Sequence, residues 1–299
     1  MSSAASIHMP GGAHAALLLH GLAGSPLEVR FIGRLLHRAG FSVSIPVIPG
    51  YSTGSAGATW QDWLASVEVI YGTLRKRYKT VSVAGLSVGA NLALALAARP
   101  AGPLAIALWG TTLFYDGWAI PWSRWLFMPC YLLGIGRNYA YREQKPYGLK
   151  NERWRARVAE AMRTADASSA GPGRIPAQFL YQAMRLASAV RRNLKKVSAD
   201  TLIMHSADDE TASPQNAELV YREIDARHKR KILLGDSYHI ITMDNERELV
   251  ARETIRFFQQ SIHNACPDEP IRLVSSSQAV RRLQRLRAQA PAAGALAVS

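Results

Sequence analysis

The sequence is short of cysteine, of long apolar runs and of acid, and each shortage excludes something. Its two cysteines, Cys130 and Cys266, lie far apart with no Cys or His at metal-ligand spacing. Neither a disulfide framework nor a zinc site is indicated, a reducing compartment is the default, and no metal or cofactor is expected. No uninterrupted apolar stretch approaches the roughly 20 residues of a bilayer span. The start, Met1-Ser2-Ser3-Ala4-Ala5-Ser6, lacks the basic head of a signal peptide, so a cytoplasmic protein is expected. Only 22 Asp and Glu stand against 36 Lys and Arg, leaving a formal net charge of +14. A cationic surface concentrates anions whatever the fold, so nucleic acid, anionic membrane and acidic substrate all enter as partners, and charge alone does not choose among them.

What is present is an alternation of strand and helix. Ala15-Ala16-Leu17-Leu18-Leu19 is a short continuous apolar run, as a strand buried on both faces of a parallel sheet requires, and it ends at His20-Gly21. Ser25-Pro26-Leu27-Glu28 combines an N-cap serine, a first-turn proline and a capping-box glutamate, opening a helix that ends at Gly40. A strand follows at Phe41 to Pro46, and a helix opens at Thr59-Trp60-Gln61-Asp62. The strand Thr80 to Ala84, the alanine-rich helix Val88 to Arg99 and the strand Leu104 to Trp109 continue the pattern. It resumes with the strand Thr201 to His205, a helix capped by Ser213-Pro214, the strand Lys231 to Leu234, and a last helix from about Asn245 to His263. This predicts an α/β fold with a mostly parallel, doubly wound sheet. Residues 1–112 and 199–264 form its core, and residues 113–198, aromatic at first and then basic and helical, form an inserted helical cap over the strand ends. Residues 265–299 read as a flexible basic tail.

The chemistry-bearing residues fall at strand ends. A serine hydroxyl is a poor nucleophile at neutral pH and needs a base, a group to orient that base, and donors for the developing oxyanion. Gly85-Leu86-Ser87-Val88-Gly89 lies between an apolar strand and a helix-prone stretch, the context in which such a match becomes a nucleophile elbow, with Ser87 as nucleophile. His20-Gly21-Leu22-Ala23-Gly24 follows the first buried strand. The backbone N–H groups of Leu22 and Val88 are the expected oxyanion donors, and His20 is expected to stabilise the loop rather than act as a base. His239, between a strand and the last helix, suits the general base. The strand ending at His205 runs into Asp208-Asp209-Glu210, where one carboxylate should hold the imidazole. Asp209 is the choice and Asp208 the alternative, with Glu210 and the unused aspartate read as solvated loop charge or as a helix N-terminal interaction.

With these residues placed, the chain resembles the bacterial carboxylesterase and monoacylglycerol lipase branch of the α/β-hydrolases, over roughly residues 15–112 and 200–262. Leu17 to Ser25, Val83 to Gly89 and Ser237-Tyr238-His239-Ile240-Ile241-Thr242-Met243-Asp244 look like that family's oxyanion loop, elbow and histidine loop. The resemblance implies the α/β-hydrolase fold, ester hydrolysis through a Ser87 acyl-enzyme and, again, Asp209 as the acid. Two departures bear on pocket shape: Pro49-Gly50-Tyr51-Ser52 stands where a Gly-His-Gly turn is frequent, and Ala90-Asn91 replaces a common glycine. The same triad would also serve an acyl thioesterase or acyltransferase. A non-catalytic membrane- or nucleic-acid-binding module is the reading that the intact nucleophile, base and acid argue against.

The cap opens with Phe114, Trp118, Trp122, Trp125, Phe127, Met128, Tyr131, Leu132 and Leu133. So many large rings are hard for a small subdomain to bury, so an apolar acyl pocket or a membrane interface is expected there, with Phe114, Trp118, Trp122, Trp125 and Phe127 as candidate substrate contacts. The rest of the cap carries Arg153, Arg155, Arg157, Arg191, Arg192, Lys195 and Lys196, expected mostly as solvated helix surface. Beside the aromatics they suit anionic lipid headgroups or a phosphate-bearing acyl donor. The expected partners are therefore a small-molecule acyl ester and, peripherally, an anionic membrane.

Overall fold

The computed structural model describes residues 5–52, 57–142, 144–165, 167–168 and 171–268. From residue 269 onward the expected basic tail lies outside the described residues. The chain begins with β1 (Ile7–Met9), β2 (His14–Leu19), α1 (Leu27–Arg38), β3 (Ser42–Ile45), α2 (Trp60–Arg77), β4 (Thr80–Leu86), α3 (Val88–Ala97) and β5 (Ala105–Trp109). Then come a 3₁₀ turn at Trp122–Leu126, α4 (Phe127–Leu132), β6 (Ala140–Arg142), α5 (Glu152–Ala165), β7 (Ala167–Ser168), β8 (Gly171–Pro172), β9 (Arg174–Pro176) and α6 (Ala177–Asn193). The last part holds β10 (Asp200–Ser206), α7 (Gln215–Glu223), β11 (Lys229–Leu234) and α8 (Arg247–Ala265).

Seven strands form one sheet in the order β1-β3-β2-β4-β5-β10-β11. Every neighbouring pair is parallel except β1 with β3. That antiparallel edge strand has no counterpart in the sequence reading, because three half-exposed residues carry too little apolar pattern to register as a strand. Successive strand residues face opposite sides, so Leu17 and Leu19 pack with Trp63, Leu92 and Phe179 on one face. Leu18 joins Ile32, Trp109 and Phe258 on the other.

Because β5 and β10 are neighbours, the whole segment between them leaves the sheet and returns one strand over. Its two halves differ. In α6, Phe179, Leu186 and Val190 join the cluster around Trp63, whereas the 3₁₀ turn and α4 bury no residue at all.

Two capping expectations need amendment. The buried Glu28 carboxylate accepts the Gly21 N–H at 2.7 Å, so its reach extends beyond the helix end instead of closing a capping box at Ser25. Ser213 does not cap α7 through its hydroxyl, which donates to Asp116 at 2.8 Å. Asp116 also accepts the Ser213 N–H at 2.8 Å and the Asn216 side-chain amide at 2.9 Å.

Candidate active site

Leu22, Ser87 and Asp209 follow the carboxyl ends of β2, β4 and β10, and His239 lies in the loop before α8, where an open parallel sheet leaves its crevice. Ser87, between β4 and α3, has φ 56° and ψ −117°, a conformation that L-residues resist and that only tight local packing holds. That packing is visible at its neighbours: a Cβ on Gly85 would fall 2.2 Å from the Gly89 carbonyl oxygen, and one on Gly89 would fall 2.4 Å from that of His20. The turn lifts the Ser87 side chain off the sheet while its N–H donates to the Trp109 carbonyl at 2.8 Å.

The structure brings Ser87, His239 and Asp209 into one hydrogen-bonded chain. Ser87 Oγ lies 2.9 Å from His239 Nε2, and His239 Nδ1 lies 2.8 Å and 3.0 Å from the two Asp209 carboxylate oxygens. A carboxylate only accepts, so Nδ1 carries the proton and Nε2 is left to receive the serine hydroxyl's, the tautomer that base catalysis needs. Asp209 also accepts the N–H groups of Thr211 and Ala212 at 2.9 Å and 2.8 Å. Burial opposes its charge, but the imidazole and these donors outweigh burial and hold it below the usual carboxylate range. Asp208 turns outward to Lys150 at 3.0 Å, away from the imidazole. His205, buried, donates Nε2–H to the Ala212 carbonyl at 2.8 Å and passes 3.4 Å from Asp209; burial lowers its pKa, keeping it neutral behind the acid.

Glu210 departs from the solvated charge expected of it. It is buried, accepts the His239 N–H at 3.0 Å and the Thr211 hydroxyl at 3.2 Å, and burial raises its pKa. Three adjacent acids thus take three fates: one on the imidazole, one on its backbone and one in solvent. Thr112 was also unread. Its hydroxyl lies 3.1 Å from Ser87 Oγ and the same distance from the Gly110 carbonyl. Its position just past the end of β5 was the only sequence signal available.

Neither the Leu22 nor the Val88 N–H finds a hydrogen-bond acceptor among the described residues, and Val88 is the first residue of α3, where helix geometry leaves donors over. His20 is buried, its pKa lowered by burial to about 4. Its Nδ1 donates to the Gly21 carbonyl at 2.9 Å, and Nε2 receives the Ser52 hydroxyl at 2.9 Å. Tyr51 donates to the His20 carbonyl at 2.8 Å. The Tyr51-Ser52 pair therefore fastens the loop from the position where the resemblance leads one to look for a histidine turn.

The candidate substrate aromatics are spread outward. Phe114 lies under the Arg191 guanidinium at 4.4 Å, and Arg191 donates to the Leu113 carbonyl at 2.6 Å, so this arginine braces the segment instead of being free surface. Trp118 donates to the Asp208 carbonyl at 3.0 Å and meets Tyr238 edge-on. Trp122 and Trp125 are 80% and 62% exposed. Phe127 packs between Tyr131 and Tyr141. Among the described residues, no group of His, Cys, Asp and Glu could hold a metal ion, and no helix is long and apolar enough to cross a membrane.

A family model described as serine aminopeptidase, S33, matches residues 13–246. A thermostable monoacylglycerol lipase of Bacillus sp. (strain H-257) is 27% identical over 261 residues, covering 86% of this chain and 95% of its own. A carboxylesterase of Bacillus subtilis (strain 168) is 24% identical over 254 residues, 84% of this chain and 94% of its own. The solved monoacylglycerol lipase of Paleococcus ferrophilus superposes with a TM-score of 0.71 at 16% identity, over 86% of this chain and 98% of that one, a likeness of fold.

Proposed function

The chain belongs to the serine aminopeptidase S33 family of α/β-hydrolases, and on that premise we propose that it hydrolyses carboxylic esters, in the manner of a carboxylesterase or monoacylglycerol lipase, through an acyl-enzyme on Ser87. The observation that carries the reading is the chain Ser87–His239–Asp209, with its proton order fixed by the carboxylate. Ser87 Oγ attacks the ester carbonyl carbon as its proton passes to His239 Nε2. The oxyanion is held by the N–H groups of Leu22 and Val88, and Asp209 stabilises the imidazolium. Collapse expels the alcohol, which takes the proton from His239. Water then attacks the acyl carbon by the same route in reverse and restores Ser87. The names of the two Bacillus relatives support an ester over the peptide that the family description suggests. A panel of p-nitrophenyl esters of rising chain length, monoacylglycerols, acyl-CoAs and aminoacyl anilides tests the substrate class. Esters should be turned over with kcat/KM at least tenfold above the rest. Preference for acyl-CoA would make the enzyme a thioesterase, and preference for anilides a peptidase, either of which overturns the reading.

Peripheral contact with an anionic membrane belongs to the same reading. Ten of the thirteen large hydrophobic side chains exposed among the described residues lie between Phe114 and Tyr141. Residues 117–142 contain Arg124, Arg137 and Arg142 and no Asp or Glu. Apolar side chains of this density, many of them aromatic and interleaved with arginine, match the headgroup region of a negatively charged bilayer, where tryptophan and arginine are both at home. A second copy of the chain would set these arginines against their own kind.

A further inference from the structure

The Glu28 carboxylate is buried, and no cation pairs with it among the described residues. A buried carboxyl group with no ion-pair partner is costly to ionise, so its hydrogen bonding and packing have to hold it. The hydrogen bond goes to the Gly21 N–H at 2.7 Å, at the start of a short loop, and the Ser25 N–H at the loop's other end also pulls the carboxyl pKa down. Between them lie Leu22, Ala23 and Gly24. Ala23 has φ 51°, a left-handed conformation that a residue with a Cβ resists. The three atoms nearest to a Cβ built on Gly24 all belong to the Glu28 carboxyl group, its nearest oxygen at 2.1 Å. A Cβ on Gly21 would lie 3.0 Å from the same carboxylate and 3.9 Å from Ser87 Cβ. The loop thus packs closely against both Glu28 and the nucleophile.

We propose that Glu28 is a positioning residue for the Ser87 reaction: its carboxyl group staples Gly21 through its N–H, packs against Gly24, and so holds the strained loop from which the Leu22 N–H is presented to the oxyanion. The inference rests on the reading of Ser87 as nucleophile and Leu22 as oxyanion donor. A capping role alone would account for the pull of the Ser25 N–H. It does not account for the Gly21 contact, the complete burial or the close fit of Gly24 over the carboxyl. Glutamine is the discriminating replacement, because its amide keeps the shape and one acceptor but turns a donor toward the Gly21 or the Ser25 N–H, loosening the staple.

The test compares wild type with Glu28→Gln, each normalised to the number of serines labelled by a fluorophosphonate. Deleting an oxyanion donor outright costs roughly 100- to 1,000-fold in kcat, so loosening one should cost roughly 10- to 100-fold. KM for a p-nitrophenyl ester should stay within about threefold, and a boronic acid that mimics the tetrahedral intermediate should bind more weakly by a factor close to the loss in kcat. A purely structural role would lower the labelled fraction and leave turnover per labelled serine at the wild-type value, and that result overturns the proposal. Absence of labelling in wild type would instead sink the hydrolase reading on which it rests. If Glu28→Gln does not fold, the cycle of Gly24→Ala, Glu28→Ala and the double variant serves. Since the added methyl meets the Glu28 carboxyl group first, Gly24→Ala should lower kcat in the wild type and have little further effect in Glu28→Ala. Multiplicative losses would contradict the staple.

Discussion

The crevice at the sheet's edge and the front of the inserted segment are built on opposite principles. At the crevice, Ser87, His239 and Asp209 are held by short hydrogen bonds whose donors and acceptors are determined, with Glu28, Glu210, His20 and His205 buried around them. At the front, the turn Trp122–Leu126 and α4 bury nothing, and large apolar side chains face outward. A site that must stabilise developing charge needs fixed dipoles, and fixed dipoles need a rigid, satisfied surround. A surface that meets a fluid lipid face needs only area and charge of the right sign. On the proposed reading the chemistry lies in the crevice and the choice of surroundings on the front, and substitutions in one should leave the other's function alone.

The largest effect should fall on the acid. Asp209→Asn would present an amide to Nδ1 and favour the wrong tautomer, lowering kcat by about 10⁴, whereas Asp208→Asn, whose carboxylate pairs with Lys150 and no other side chain among the described residues, should stay within about twofold. Steady-state kinetics of the two neighbours, side by side, would break the comparison if they fell together.

Stability provides the second contrast. Burial first of all raises the Glu28 pKa from 4.5 to about 7, against the pull of its two backbone donors and of His239; Tyr51 is the other titratable group coupled to it. The folded state keeps this proton between pH 4.5 and 7 while the unfolded chain has lost it. Glu28 therefore contributes most to stability below pH 4.5, and that contribution is lost as pH rises to about 7. The shift of about 2.5 units corresponds to about 3 kcal/mol. Urea unfolding of wild type and Glu28→Gln at pH 5 and pH 8 should show the difference between them moving in the variant's favour at the higher pH. A pH-independent difference would mean that Glu28 is ionised throughout.

The smallest effect should appear on the front. Leu133 and Ile135 are 78% and 62% exposed, and replacing both by serine removes apolar area worth about 1 kcal/mol or more per side chain at a lipid face. Retention on phosphatidylglycerol vesicles should fall about tenfold, turnover of a soluble p-nitrophenyl ester should not change, and 1 M salt should weaken binding of the wild type. Equal retention on neutral and anionic vesicles would remove the role given to Arg124, Arg137 and Arg142.

The sheet was legible because its strands are buried on both faces and so spell continuous apolar runs, as in Leu17-Leu18-Leu19 and Leu202-Ile203-Met204. The elbow was legible because glycines at 85 and 89 are demanded by backbone contacts that leave no room for side chains. Glu210, Thr112 and the Gly21 contact of Glu28 were not, because each is made across the fold by residues remote in sequence or facing a direction no local pattern reveals. Glu210 meets His239 from 29 positions away, and Ser87 and Thr112 are 25 apart. The front of the inserted segment was read as pocket or interface alike, since a run of aromatics looks the same whether it faces inward or out.

The central claim is that Ser87 is the nucleophile, and intact-mass and peptide mass spectrometry after fluorophosphonate treatment tests it most directly. The account expects one adduct per chain, on the peptide bearing Ser87, absent from Ser87→Ala together with ester turnover. An adduct at another residue, or ester hydrolysis that persists in Ser87→Ala, would contradict it.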